Sequence, residues 1–488
     1  MNLRSQAASG VRWNGVSMAV VTTLQYITLA VLAGILSPSD FGLVGMVMVV
    51  IGFAGLFADM GISNAIIYRQ ESSRDELSSL YWMNILAGVV VFLIVCGASP
   101  WITAFYHEPR LGNLILLSSL LFLIVPFGQQ FQILLQKELL FDHLAKIEII
   151  SSFTNSLVAI ALAILGRGVF SLIWGQLAGT TISVVLLVRW GWKNGRPSFH
   201  FSKKDLKGYL GFGLYQMGEK AVNYFNTNLD YLLIGSMLGA KSLGYYTLAH
   251  NLVLRPAQKI NPIITKVAFP VFSKVQNDIK RLKSGYLKML RLVAATNFPI
   301  MAGLAVVAPV AVPVIFGEPW LPSIILIQIL TVVGLLRSMG NPVGSILLSR
   351  GRADLSFKWN LALMVTQIPG LYVGAKLGGT VGVATAFSVL MCLYSIFMYP
   401  VLVRRLLGPC LKDYVASIWP ALWMSGVMAG AVFLVGSIAK DLPFLTLLII
   451  QILCGLGIYS LLIIFKQREL ITEVKSVIWN RDVIIAQE

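Results

Sequence analysis

Apolar residues run along this chain in fourteen stretches separated by short polar or Gly- and Pro-containing gaps. They lie near 13–36, 41–67, 77–98, 113–135, 147–165, 169–189, 209–236, 244–265, 289–316, 323–348, 358–376, 380–402, 414–438 and 444–465. An α-helix rises about 1.5 Å per residue, so about 20 apolar residues cross roughly 30 Å of hydrocarbon. The pattern predicts an all-α polytopic membrane protein with about 14 transmembrane helices. The two longest polar gaps, about 189–207 and 266–288, are basic and too short to form an extramembrane catalytic domain.

The pattern also repeats. Sliding the first half along the second by a little over 200 residues overlays residues 34–43 (GILSPSDFGL) on 236–245 (SMLGAKSLGY), with Gly42 on Gly244. Farther on, 133–137 (ILLQK) meets 346–350 (ILLSR), and Leu165-Gly166 meets Leu377-Gly378. The offset spans six helices, an even number, so both copies share one orientation. This predicts two parallel six-helix lobes, 1–200 and 201–412, followed by two additional helices and a cytoplasmic tail over 413–488. Shared helix-turn composition is the competing explanation of these short matches.

Charge orients the array. Of 38 Lys and Arg residues, 29 fall in alternate gaps or at the stretch ends that border them, five in the others (Arg110, Arg167, Lys241, Lys376, Lys440) and four well inside apolar stretches (Lys220, Arg255, Lys259, Arg337). The positive-inside rule places both termini in the cytoplasm. The net charge of +17 then reflects topology and anionic headgroups, with no nucleic-acid partner required. The first stretch begins too early and runs too long for a cleavable signal, which predicts that it is retained. Cys96, Cys392, Cys410 and Cys454 show no CxxC spacing and read as small packing residues, with no disulfide framework or metal site.

Chemistry concentrates in the seventh and eighth stretches. Glu219, Asn223, Asn226 and Asp230 are spaced by four, three and four residues, which holds them on one face of a helix. The next stretch carries Asn251, Arg255, Lys259 and Lys266 in a matching basic stripe. Counting from the helix ends puts Glu219 roughly 15 Å from the cytoplasmic side and Arg255 roughly 16 Å from the other. An ionisable group at mid-bilayer costs at least about 2.5–3.5 kcal/mol, so these residues should face protein or water.

Two readings follow: an ion pair that only fixes helix packing, or cations that hold an anionic substrate while an acid couples to an ion. Lys220, Lys259 and Arg337 outnumber the acids nearby and favour the second. His250 lies about 140° around the helix from Arg255 and reads as packed or solvated. Asp59 and Glu148 read as interfacial. Gln129, Gln130 and Gln132 suit either sugar hydroxyls or hydrogen bonds between helices. Pro256, Pro262, Pro299, Pro309, Pro313 and Pro342 are expected kinks, and many such residues serve only packing in membrane helices.

No Walker loop, HExxH, DxD or GxSxG pattern is present, and His107-Glu108 lacks the second His of a zinc motif. No cofactor or catalytic residue is expected.

Several longer words resemble a known family. They are Gly128-Gln129-Gln130-Phe131, then Gln136-Lys137-Glu138-Leu139, and Asn261-Pro262-Ile263-Ile264-Thr265 with Phe269-Pro270. Residues 333–345 (VGLLRSMGNPVGS) and Ser356-Phe357-Lys358-Trp359-Asn360 complete the set. With these the chain resembles the polysaccharide-transporter (Wzx-type) branch of the multidrug/oligosaccharidyl-lipid/polysaccharide flippase superfamily, in particular the colanic acid and teichuronic acid exporters.

The resemblance implies a MATE-like fold and outward movement of undecaprenyl-pyrophosphate-linked polysaccharide repeat units by alternating access, coupled to H⁺ or Na⁺. It implies membrane lipids, the polysaccharide polymerase and the chain-length machinery as partners. Arg255, Lys259, Arg337 and Lys220 are then candidates for the pyrophosphate, Asn226 and Gln129 for the glycan, and Glu219 or Asp230 for the coupling ion. A MATE-like cation-coupled antiporter, a lipid-linked peptidoglycan precursor flippase and a membrane glycan polymerase or ligase are the alternatives. The antiporter would favour acids over cations in its cavity, and the enzyme would carry a large outward loop.

Overall fold

Helix dominates because nearly every segment is an apolar run whose backbone must bond to itself in lipid. The computed structural model describes residues 3–59, 66, 73–206, 210–275, 277–439 and 441–467, and among them every regular element is helical. In chain order these are α1 (Leu3–Ile35), α2 (Pro38–Asp59), α3 (Arg74–Tyr106), α4 (Leu111–Ser119), α5 (Leu121–Lys137), α6 (Phe141–Ile164) and α7 (Phe170–Asn194). Then come α8 (Leu210–Lys274), α9 (Ile279–Ile315), α10 (Ser323–Ser349), α11 (Ala353–Met398), α12 (Arg404–Leu407), α13 (Leu411–Ile438) and α14 (Phe444–Lys466). Lys440 and the tail from 468 lie outside the described residues, as do the side chains of Glu219, Lys259 and Lys266.

Two elements are hairpins. In α8, Gly239 leaves helical geometry at φ 79°, and the Tyr246 hydroxyl reaches Asp230 at 2.6 Å. Sixteen residues of straight helix would separate them by about 24 Å. In α11, Gly378 and Gly379 (φ −142° and 55°) break the rod, and Tyr394 donates to the Leu363 carbonyl, 31 residues back. Glycine serves at 239 and 379 because a side chain resists positive φ.

Eleven stretches among the described residues are long and apolar enough to cross a membrane, against the fourteen expected. The difference falls on these hairpins: the second is one 54-residue stretch, and the first is not among the eleven.

The basic gap at 266–288 is largely helical. The second arm of α8 continues to Lys274 and α9 begins at Ile279, so most of the gap is helix rather than loop. Lys and Arg favour helix where they clear the bilayer, and Asp278 caps α9 by accepting from the backbone N–H groups of Lys280 and Arg281 at 3.0 and 3.1 Å. The gap after Asn194 does stay irregular. His200 and Ser79 both bond the Asp205 carboxylate there, at 3.0 and 2.7 Å.

The chain divides into two compact units, 1–247 with 364–375, and 248–363 with 376–488. In the first, α6 packs on α1 and α7, and α5 packs on α3 and α7. Polar pins tie the rods: Ser17 donates to Glu148 (2.7 Å), and Thr28 to Ser156 (2.7 Å). In the second, α9 packs on α10 and α13 around buried Tyr286, Leu290, Phe298 and Met339, and on α14 as well. The Tyr459 hydroxyl on α14 donates to the Ala295 carbonyl on α9 at 2.7 Å, and Lys283 pairs with Asp413 at 2.6 Å.

The cysteines do not share one role. Cys410 is buried and Cys96 and Cys454 are half-buried, but Cys392 is exposed on α11 and is no packing residue.

Candidate functional site

In the second unit, the second arm of α8 and helix α10 bring two guanidinium groups within electrostatic reach of one imidazole. His250 and Arg255 come from the arm and Arg337 from α10, and both guanidinium groups act on the imidazole. Arg255 is exposed, whereas Arg337 and His250 are half-buried. The imidazole Nε2 is itself out of solvent. Two guanidinium groups that both act on one imidazole suit a multivalent anion able to engage each of them.

Sequence reading set His250 aside because it faces away from Arg255 on its own helix. The partner it lacked comes from α10, where the tight packing of Gly334 admits a close neighbour. A Cβ on Gly334 would stand 2.8 Å from Met301 Sδ and 2.9 Å from Val253.

The first unit holds the other described candidates. Along the first arm of α8, Asn223 is exposed, Lys220 and Asn226 are half-buried, and Asp230 is buried at 3% exposure. Asp230 accepts from the Tyr246 hydroxyl at 2.6 Å and from the Tyr231 backbone N–H at 3.0 Å, which satisfies its carboxylate inside the hairpin. The stripe thus runs from accessible to enclosed along one helix face. Glu219 and Lys259 have their side chains outside the described residues, and so the Glu219–Arg255 pairing rests on spacing alone.

Gln129 accepts from the Asn84 amide at 3.2 Å, tying α5 to α3, and Gln130 is buried. This favours the helix-bonding reading of the glutamines. Asn261, within one of the resemblance-bearing words, accepts from fully buried Asn297 at 3.0 Å and so links the second arm of α8 to α9.

A groove of about 850 Å³ in the first unit, lined by Ser99, Thr103, His107, Glu108 and Asn113 among others, contains none of the candidate cations. Beside it Glu108 pairs with Arg110 at 3.1 Å, a bond that pushes the arginine pKa further up. Among the described residues no group of three or more metal-ligating side chains occurs.

The chain is 37% identical over 87% of its length to the lipopolysaccharide biosynthesis protein WzxC of Escherichia coli K12, of which the match covers 86%. It is 34% identical over 80% of its length to the teichuronic acid biosynthesis protein TuaB of Bacillus subtilis 168, again covering 80% of that protein. The succinoglycan biosynthesis transport protein ExoT of Rhizobium meliloti 1021 is 25% identical over 94% of this chain and 93% of its own length.

Among solved structures, the lipid II flippase MurJ in an inward closed conformation aligns with a TM-score of 0.74 at 16% identity. That alignment covers 95% of this chain and all of that one. An inward-facing multidrug resistance MATE family transporter of the MOP superfamily aligns at 0.63 and 16% identity, over 81% and 98% of the two chains. These likenesses establish the fold. The family model described as polysaccharide biosynthesis protein matches residues 31–325. The chain is a multi-pass membrane protein and belongs to this polysaccharide biosynthesis family, within the Wzx-type branch.

Proposed function

We propose that this protein is a flippase that moves undecaprenyl-pyrophosphate-linked polysaccharide repeat units across the inner membrane by alternating access. It is a transporter rather than an enzyme. The observation that carries the reading is the cluster of Arg255, Arg337 and His250 within an apolar helical array whose relatives serve polysaccharide biosynthesis and transport.

A pyrophosphate offers several strong acceptors, and two guanidinium forks can bind them bidentately. Holding cations inside a membrane protein is costly, and a polyanionic cargo offsets that cost only while bound. Lys259, on the same arm as Arg255, adds to the cationic cluster in this reading, and Lys220 and Asn226, on the first arm of α8, are proposed in their own unit for pyrophosphate and glycan. Gln129 is the weakest member of the set because it already serves Asn84.

The charge distribution supports cytoplasmic termini, which puts the basic segments beside the leaflet where the cargo is assembled. Two parallel lobes, 1–200 and 201–412, would alternate between inward- and outward-facing states in this reading. Asp230, enclosed with Tyr246, or Glu219 would take up the H⁺ or Na⁺ that drives the cycle. The polymerase and chain-length machinery would receive the cargo on the far side.

The test is leaflet accessibility of an undecaprenyl-pyrophosphate oligosaccharide in proteoliposomes, read with an external enzyme that cannot cross the bilayer, with and without an ion gradient. Protein-dependent exposure of the inner pool is expected. No exposure of a source-matched glycan, alongside exposure of a lipid-linked peptidoglycan precursor, would reassign the cargo.

A further inference from the structure

The repeat seen in the sequence closes on itself in the first unit. A Cβ built on Gly42, in the first turns of α2, would overlap the carbonyl oxygen of Ala240, which opens the second arm of α8. A Cβ on Gly244, in that arm, would overlap the carbonyl oxygen of Pro38, which opens α2. These are the same two positions of the repeat, exchanged: Gly42 corresponds to Gly244, and Pro38 to Ala240. The Gly42 Cβ position is also only 2.9 Å from the Gly244 nitrogen.

One turn farther along, a Cβ on Gly45 would stand 3.0 Å from the hydroxyl oxygen of Thr247, again the equivalent position in the second copy. Deeper still, a Cβ on Gly52 would overlap the Tyr224 hydroxyl, which donates to the Val49 carbonyl at 2.9 Å. The two helices therefore touch backbone to backbone at their first turns, in the manner of membrane helices with small residues at the seam. Cα–H groups there face carbonyl oxygens, a contact that only glycine permits at this separation.

We propose that the Gly42–Gly244 contact is the outer seal of the transport cycle: closed in this state, and separated when cargo leaves on the far side. The inference rests on the alternating-access reading, under which the first turns of α2 and of the second arm of α8 lie at the outer face. A seal made from bare backbone suits a gate that must open. It excludes water when shut and breaks no side-chain interlock when the helices part. A side chain at either glycine holds the seal ajar.

The test uses the full-length chain in cells, in a functional background carrying Cys96→Ala, Cys392→Ala, Cys410→Ala and Cys454→Ala. The pair Gly45→Cys and Thr247→Cys places two thiols at a separation compatible with a disulfide. Oxidation is expected to join them and reduce export to background, and reduction to restore it. Separately, Gly42→Leu is expected to raise labelling of a Thr247→Cys reporter by an external, membrane-impermeant maleimide several-fold at equal membrane abundance.

Failure of the pair to join, full export by joined protein, or unchanged labelling in Gly42→Leu would each overturn the seal. The labelling needs no cargo. If wild-type protein moves no lipid-linked glycan while Gly42→Leu still raises labelling of the Thr247→Cys reporter, the cargo assignment falls and the seal stands.

Discussion

The Tyr246 hydroxyl and the Asp230 carboxylate meet at 2.6 Å across the turn at Gly239, joining the two arms of one hairpin inside a buried shell. Tyr246 is fully buried and packs edge-on to Tyr231 at 5.7 Å, so the acid is held by both a hydrogen bond and a ring wall. A buried acceptor that loses its donor bears its own desolvation cost. Tyr246→Phe is therefore expected to destabilise the protein by about 1–3 kcal/mol. Thermal unfolding in detergent reads the effect, and a Tm equal to that of the parent would show that the bond contributes nothing.

Removing cations should separate binding from folding. Arg337→Ala and Arg255→Ala are each expected to abolish export with normal membrane insertion. Arg337→Lys should restore little, because an ammonium cannot reproduce a bidentate fork. Complementation of an export-deficient strain, with membrane abundance measured alongside, decides the matter. Well-inserted Arg255→Ala protein that exports normally would remove that residue from the pyrophosphate site.

Gln129 offers a test of whether a polar residue serves cargo or packing. If its bond to Asn84 is its purpose, Asn84→Ala and Gln129→Ala should cost stability non-additively, with a coupling of about 0.5–1.5 kcal/mol. Export per folded molecule should then fall alike in both. Loss of export confined to Gln129→Ala would return the residue to the glycan site.

Gly239 sits at φ 79° and ψ 177°, a region essentially closed to residues with a side chain. Gly239→Ala is expected to cost on the order of 1–3 kcal/mol and to lower the yield of folded protein. Yield and Tm matching the parent would show that the turn has another low-energy form.

The cysteines should label unequally. Burial pushes the Cys410 thiol pKa up, which keeps it protonated through neutral pH, and nearby Lys283 only partly counters this. Thiolate is the reacting form, so Cys410 should react slowly at neutral pH and gain rate as pH rises. Exposed Cys392 should label first with a lipid-permeant maleimide. Mass spectrometry of a labelling time course reads the order, and equal rates at the two sites would contradict it.

Hydrophobic length made much of this fold legible. The boundaries near 236–244 and 376–380 mark where the structure turns, because an apolar run cannot cross twice without a break and glycine supplies one. Orientation within the bundle was less accessible. Spacing placed Asp230 on a face with Asn226 and Asn223, but whether that face meets water or protein depends on Tyr246, which arrives from the other arm. His250 was judged against its own helix, and Arg337 reaches it from another. The basic gap at 266–288 shows a further limit of polarity as a guide, since it marks the end of the apolar run and not the end of the helix.

The reciprocal meeting of Gly42 and Gly244 has the character of an isologous interface, in which one surface recognises its own copy. In a true dimer of identical chains each substitution would strike such a contact twice and symmetry would be enforced. Here the two copies share one polypeptide, so each half can change alone. Gly42 and Gly244 remain matched, but one turn away Gly45 faces Thr247, and the symmetry is already broken. A single chain can thereby keep a self-complementary closure at its tip while the two halves diverge toward different duties below it.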